Sequence, residues 1–239
     1  METPHKRATT IVIKLSGAAL SGDGNKKYSE VVFDLIAGQI KSLQTQGHRV
    51  ALILGGGNLF RGKDLSAELS IKRSTADYVG MLATVQNALV LRDYFESKGI
   101  ATRVSSSIPM PQICERYVPR RTVEHLKEGR LVIFAGGLGV PFFTTDSLSA
   151  VRALEIGADV LIMAKDGVDG VYSADPDKDT SAVKIDTISA SEALARDLKV
   201  ADASAIALAR DHNLTIRVVS IKDIWQALGS DIGSTVTPD

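Results

Sequence analysis

Short β-branched and aliphatic runs alternate along this chain with longer segments whose apolar residues recur every three or four positions. Those are the two periodicities of buried strands and amphipathic helices. Runs at 10–15 (Thr-Ile-Val-Ile-Lys-Leu), 48–54, 100–104, 131–135, 159–164 and 215–219 predict strands. Helical spacing predicts helices over 28–46, 76–98, 121–128, 147–156 and 203–212, the last capped by Asp202. A Ser189-Ala-Ser-Glu192 capping box opens another short helix, and one more is expected near 222–228 before a β segment at 234–237. Three prolines make 105–121 a loop with short pieces of structure, and the Gly, Asp and Pro content of 167–184 suggests a hairpin or extended loop. Strand–helix alternation of this kind argues a three-layer α/β/α sandwich with a mostly parallel central sheet. No repeat, biased segment or linker interrupts it, so a single domain over 1–239 is expected, with 1–9 as a tail.

Composition narrows the function more than the fold. At 239 residues, 44% apolar and 23% charged, the chain can bury a substantial core. Its 28 basic residues balance 28 acidic ones, so no global field favours nucleic acid or a membrane surface. The sole cysteine, Cys114, excludes an internal disulfide framework and a multi-cysteine metal site. The first residues lack the apolar core of a signal peptide, and no run approaches a membrane span. A cytoplasmic protein is expected.

The chemistry concentrates where strands end. The second strand runs into Leu54-Gly-Gly-Gly-Asn-Leu-Phe-Arg-Gly62, and the first ends in Lys14-Leu-Ser-Gly17. The strand at 131–135 runs into Gly136-Gly-Leu-Gly139. Glycine permits positive φ and lets an anion approach backbone N–H groups closely. In an open parallel sheet such turns converge on one edge, where ligands bind. Three of them, with Lys14 and Arg61 beside two, suggest a site for more than one phosphate group and hence phosphoryl transfer between two bound substrates.

Other motifs fail on inspection. Gly57 to Lys63 nearly spells a P-loop, but Asp64 stands where a hydroxyl should meet Mg²⁺ and would repel phosphate. Asp175-Pro-Asp177-Lys-Asp179 begins like an EF-hand but lacks the glycine and glutamate that such a loop requires. His5, His48, His125 and His212 show no zinc spacing, and no metal-ligating residues are assigned. Cys114 reads as a buried or incidental thiol.

Taken in order, Lys14-Leu-Ser-Gly17, Gly55 to Gly62, Asp77-x-x-Gly-Met-Leu-Ala-Thr84, Pro141-Phe-Phe-Thr-Thr-Asp146 and Val168-Asp-Gly-Val-Tyr-x-Ala-Asp-Pro176 resemble the bacterial uridylate kinases of the amino-acid-kinase superfamily. The first two elements are shared across the superfamily, whereas Asn58 to Gly62, Gly80 to Thr84 and Pro141 to Asp146 are more specific. The resemblance implies transfer of the ATP γ-phosphoryl group to UMP with Mg²⁺. It implies ATP contacts from Lys14, Leu15, Ser16, Gly17, Gly57 and Arg61, and an adenosine side lined by Asp166, Tyr172 and Asp175. UMP would be held by Gly56, Asp77 and the run Leu138, Gly139, Val140, Pro141, Phe142, Phe143, Thr144 and Thr145. Lys14, Arg61 and Asp146 would serve the transfer itself, with Asp146 orienting the lysine, although Asp146 and Asp202 also stand where helix caps are expected. A homohexamer and regulation by GTP or UTP are further implications.

This chain departs from the family pattern in three places. Ala18 replaces a common glutamate. Asn25-Lys-Lys-Tyr-Ser29 falls where relatives linked to GTP activation carry a Gly-Phe-Gly-type segment, which puts that regulation in question. Leu138 and Val140 replace more polar residues, leaving UMP recognition there to backbone groups. The alternatives are a kinase forming an acyl phosphate on an amino acid, or a nucleotide sensor or storage protein without chemistry.

Overall fold

The computed structural model describes residues 8–22, 26–60, 70–176, 178–198, 200–229 and 232–239. Arg61, the rest of the P-loop-like stretch beyond it and most of the expected tail lie outside the described residues.

Strands β1 (Thr10–Leu15), β2 (Arg49–Leu54), β3 (Thr102–Ser106), β4 (Glu115–Arg116), β5 (Leu131–Ala135), β6 (Val160–Lys165), β9 (Thr187–Ser189), β10 (Thr215–Ser220) and β11 (Ser234–Thr237) form one sheet. Its order is β4-β3-β5-β2-β1-β6-β10-β11-β9. Every pairing in it is parallel except β10 with β11. β7 (Val171–Tyr172) and β8 (Lys184–Ile185) make a separate antiparallel hairpin, as the Gly- and Asp-rich segment suggested.

Alternation along each strand divides the core in two. From β1, Ile11, Ile13 and Leu15 pack with α1 (Glu30–Thr45) and α2 (Arg73–Ser97), through Ile36, Ile40, Leu91 and Phe95 among others. Val12 faces the other way, toward α3 (Pro119–Lys127), α4 (Thr145–Glu155) and α6 (Ala203–Asp211), with Leu126, Leu148 and Ile206. The expected three-layer sandwich is thus the observed one. Lys14 shares the face of Val12 and stands at the end of β1, where the aliphatic run stops.

Several expectations shift by a few residues. β3 begins at Thr102, because Gly99 at φ 79° ends α2 and Ile100 is spent filling the core. α3 begins at Pro119, whose fixed φ suits the first helical position. The helix expected over 222–228 is only a 3₁₀ turn, Ile224–Gln226. The short strands β4 and β9 carry too few residues for a periodic signal. Ser189 caps α5 (Ala190–Ala195) as expected, its Oγ accepting from Glu192 N at 3.2 Å.

Candidate active site

The C-terminal ends of β5, β2, β1, β6 and β10 lie side by side in that order, so the turns following them share one edge. The first two turns touch. A Cβ built on Gly17 would lie 2.3 Å from Gly57 N and 2.7 Å from Gly55 O. Gly56 meets α2 instead, where a Cβ would come within 2.8 Å of Gly80 O. None of Gly55, Gly56 and Gly57 has positive φ. Close approach of backbones, rather than left-handed conformation, therefore requires glycine at 17, 55 and 56, whereas a Cβ on Gly57 would meet nothing nearer than Ala18 N at 3.9 Å. Positive φ belongs to the third turn, at Gly136 (74°), Gly137 (56°) and Gly139 (81°).

α2 holds the triple-glycine turn through a buried amide. Asn87 Nδ2 donates to Gly55 O at 2.8 Å and to Asn58 Oδ1 at 2.7 Å, while Asn58 Nδ2 donates to Asn87 Oδ1 and to Lys27 O. Ser16 Oγ accepts from Ala19 N, closing the first turn.

Lys14 Nζ lies 2.8 Å from Asp146 Oδ1, with the two side chains 12% and 15% exposed. Asp146 is not the helix cap. Thr144 is, with its Oγ1 accepting from Ser147 N at 3.3 Å, and α4 starts earlier than the sequence pattern suggested. Asp146 sits one residue inside the helix, free to face Lys14, and its Oδ2 accepts from Asp202 N at 3.3 Å. Asp202 occupies the N-cap position of α6, but its side chain makes no capping hydrogen bond. Beyond them, at the end of β6, stands Lys165. Burial, and next the Lys14 charge, push its ammonium pKa below the usual lysine value, against the pull of Asp146 and Asp202.

On the β5 side, Gly56, Asp77, Thr84, Phe143, Thr144 and Thr145 line a cavity of about 240 Å³. Asp77 Oδ2 accepts from Phe142 N at 2.8 Å and its Oδ1 pairs with Arg73. That contact fastens the loop by a residue at φ 74°. Gly136 N donates to Thr84 Oγ1, and Ser107 Oγ donates to Gly137 O at 2.5 Å. Ser107 Oγ in turn accepts from Arg152 Nη2 at 2.7 Å, a buried guanidinium stacked 3.8 Å over the Tyr117 ring. Leu138 packs into the core beside α4, whereas Val140, Phe142 and Phe143 are exposed.

The three residues expected on an adenosine side divide. Asp166 and Tyr172 line a cavity of about 380 Å³ with Ser220 and Ile221, at the C-terminal ends of β6 and β10. Asp175 lines a different one of about 440 Å³, which Tyr172 also borders. Thr84, Asn87, Ser107, Arg152 and Lys165 were not singled out from the sequence. For Asn87 and Arg152 a signal existed, a polar residue within the apolar face of a helix. Thr84 closes the Gly80 to Thr84 motif, although no role was assigned to it, and for Ser107 there was no signal.

Residues 9–220 match the model of the amino acid kinase family, the class that this sheet and its paired glycine turns define. The chain is 45% identical to a uridylate kinase of Paenarthrobacter aurescens, over 98% of this chain and 96% of that one. It is also 45% identical to a uridylate kinase of Cutibacterium acnes, over 97% and 98%. The crystal structure of UMP kinase from Bacillus anthracis matches with a TM-score of 0.93 at 37% identity, covering 98% of each chain. UMP kinase from Ureaplasma parvum matches at 0.89 and 32% identity, covering 97% of this chain and all of that one. The chain therefore belongs to the uridylate kinases of the amino acid kinase family.

Proposed function

We propose that this protein transfers the γ-phosphoryl group of ATP to UMP, releasing UDP and ADP, in the synthesis of pyrimidine nucleotides. The observation that carries the reading is the Lys14–Asp146 pair, whose strand β1 stands in the sheet between two cavities, one beneath the loop fastened to Asp77 and one at the ends of β6 and β10. UMP belongs in the first. Its phosphate would approach Gly56, Thr144 and Thr145, and its ribose hydroxyls could take over the Asp77 carboxylate from Phe142 N. ATP belongs in the second, with Asp166 and Tyr172 beside adenosine and its phosphates running to Ser16, Gly17, Gly57 and Lys14. Asp175 would then act from behind the β7–β8 hairpin.

A UMP phosphate oxygen attacks the γ-phosphorus, the bond to the bridging oxygen breaks, and its electron pair leaves with ADP. The attacking oxygen is already anionic, so no strong base is needed. Catalysis rests on alignment and on charge held in place by Lys14, itself steered by Asp146, with Arg61 as a planar partner for phosphate oxygens. Mg²⁺ is commonly bound by one or two carboxylates together with substrate phosphates. Asp146 and Asp202, joined through Asp202 N, fit that donor set beside the ATP phosphates and would help screen their charge.

No helix among the described residues is long and apolar enough to cross a membrane, and a cytoplasmic location is part of the proposal. A homo-oligomer, by resemblance a hexamer, is supported by Tyr78, Leu82 and Val90, exposed apolar residues of α2. Regulation by a nucleotide such as GTP or UTP is part of the proposal, with a cavity of about 610 Å³ lined by Arg92, Arg103, Arg116 and Arg121, of which Arg103 and Arg121 pair with Glu96 and Glu115 in the same lining. The direct test is chromatographic identification of UDP and ADP, formed in equal amounts from ATP, Mg²⁺ and UMP. Absence of UDP would overturn the reading.

A further inference from the structure

Lys165 occupies a place in the sheet that its neighbours make meaningful. β6 lies between β1 and β10, with Lys14 opposite Met163 and Lys165 opposite Ser220. Leu161 and Met163 share the core face of Val12. Alternation therefore directs Lys165 to the face on which Lys14 meets Asp146. Adjacent strands are about 4.8 Å apart, so the two lysine-bearing strand ends are immediate neighbours. The N-terminal ends of α4 and α6 close over the same spot, bringing Asp146 and Asp202 with them.

The four charges are unequally engaged. Lys14 and Asp146 form a closed pair at 2.8 Å. The Lys165 ammonium, among the described residues, makes no hydrogen bond or ion pair, although it feels Asp146 and Asp202 at longer range. A partly buried ammonium without a contact partner, next to a second ammonium, is unfavourable in the empty protein. It becomes favourable when an anion arrives. The position of Lys165 says which anion. Across the edge the order is acceptor cavity at β5 and β2, Lys14 at β1, Lys165 at β6, then the cavity with Asp166, Ser220 and Ile221. In strand order β1 with Lys14 lies between the two, whereas Lys165 is followed by Asp166 and paired with Ser220, both of which line the second.

We propose that Lys165 is a further catalytic residue of the transfer, contacting the β-phosphate of the donor nucleotide and neutralising the charge that builds on the leaving ADP oxygen. The proposal deepens the kinase reading and depends on it for the identity of the donor. Lys14 serves the phosphoryl group in flight, and Lys165 serves the group left behind. A charge held ready on the donor side acts more strongly as the bond to the leaving oxygen breaks than it does in the ground state.

The test compares the full-length wild type with Lys165→Met and Lys165→Arg. ADP affinity is measured by calorimetry, UMP affinity in the same way, and Tm without nucleotide. Loss of one charge-assisted contact should weaken ADP binding of the Met variant about 10- to 100-fold. UMP affinity should stay unchanged and Tm should be equal or higher, because a partly buried charge without a contact partner has been removed. The Arg variant should recover part of the ADP affinity. Turnover should fall at least as far as ADP affinity in the Met variant. Unchanged ADP affinity in Lys165→Met, or a lowered Tm with equal losses for ADP and UMP, would overturn the proposal. Failure of the wild type to form UDP would instead overturn the kinase reading, while ADP affinity still decides the role of Lys165.

Discussion

Asn87, wholly shielded from solvent in the middle of α2, donates from Nδ2 to the carbonyl of Gly55 at 2.8 Å and thereby ties the helix to the triple-glycine turn. The same amide exchanges hydrogen bonds with Asn58. Asn87→Ala would leave a buried carbonyl without a donor. The expected cost is about 1–3 kcal/mol, read as a fall in Tm of roughly 3–10 °C. An unchanged Tm would show that the turn holds its shape without this contact.

Lys14→Ala removes the cation that the acceptor and donor phosphates are expected to share. Turnover should fall by about 10²-fold or more, the scale of a lost transition-state charge contact. The fold should survive, because Asp146 keeps solvent access and its contact with Asp202 N. Circular dichroism and Tm measured beside kcat check both halves of this expectation. Near-normal turnover would remove Lys14 from the mechanism.

The glycine turns make a contrasting pair. At Gly17 a new methyl would meet Gly57 N at 2.3 Å, whereas at Gly57 its nearest neighbour would be Ala18 N at 3.9 Å. Gly17→Ala should cost about 1–3 kcal/mol or more through forced separation of the two turns, and should abolish turnover. Gly57→Ala should fold with near-normal Tm, and any loss should appear in the KM for ATP. Equal destabilisation of both variants would contradict the contact between the turns.

Ser107 passes the charge of Arg152 to the Gly137 carbonyl. Ser107→Ala should loosen the loop under which UMP is proposed to bind, raising the KM for UMP about tenfold, the worth of one such hydrogen bond. The KM for ATP should be unaffected. Steady-state kinetics with each substrate varied in turn separates this outcome from a general loss of fold, which would raise both.

The β7–β8 hairpin carries a pH-sensitive clip. Hydrogen bonds from Lys184, foremost, and Tyr172 hold the Asp169 carboxyl below its usual pKa. A depressed carboxylate adds stability that is present above its unfolded pKa and is lost as pH falls through the folded value. Fraying of the hairpin should therefore appear only below about pH 4. Lys184→Met should move that fraying to higher pH, with amide exchange of the hairpin as the readout. Because both side chains reach solvent, the effect should be small.

Much of this architecture was written locally. Aliphatic runs and helical spacing announced each long strand and helix, and the glycine clusters marked the turns at strand ends. The reason for the glycines was less visible. The glycines suggested positive φ or close approach of an anion, but what excludes a side chain at Gly55 and Gly56 is Gly17 and α2, residues distant in sequence. Asp146 was expected to face Lys14 but also stood at a cap position, because helix starts are uncertain by a few residues, and Thr144 takes that duty. Ser107 and Lys165 acquire meaning only from strand order and register, which no single stretch encodes.

The most direct test of the account is a coupled ADP-release assay with ATP and Mg²⁺, offering UMP, CMP, dTMP, aspartate and glutamate in parallel as acceptors. The account predicts turnover with UMP well above that with every other acceptor. No turnover with UMP, or a preference for either amino acid, would contradict it.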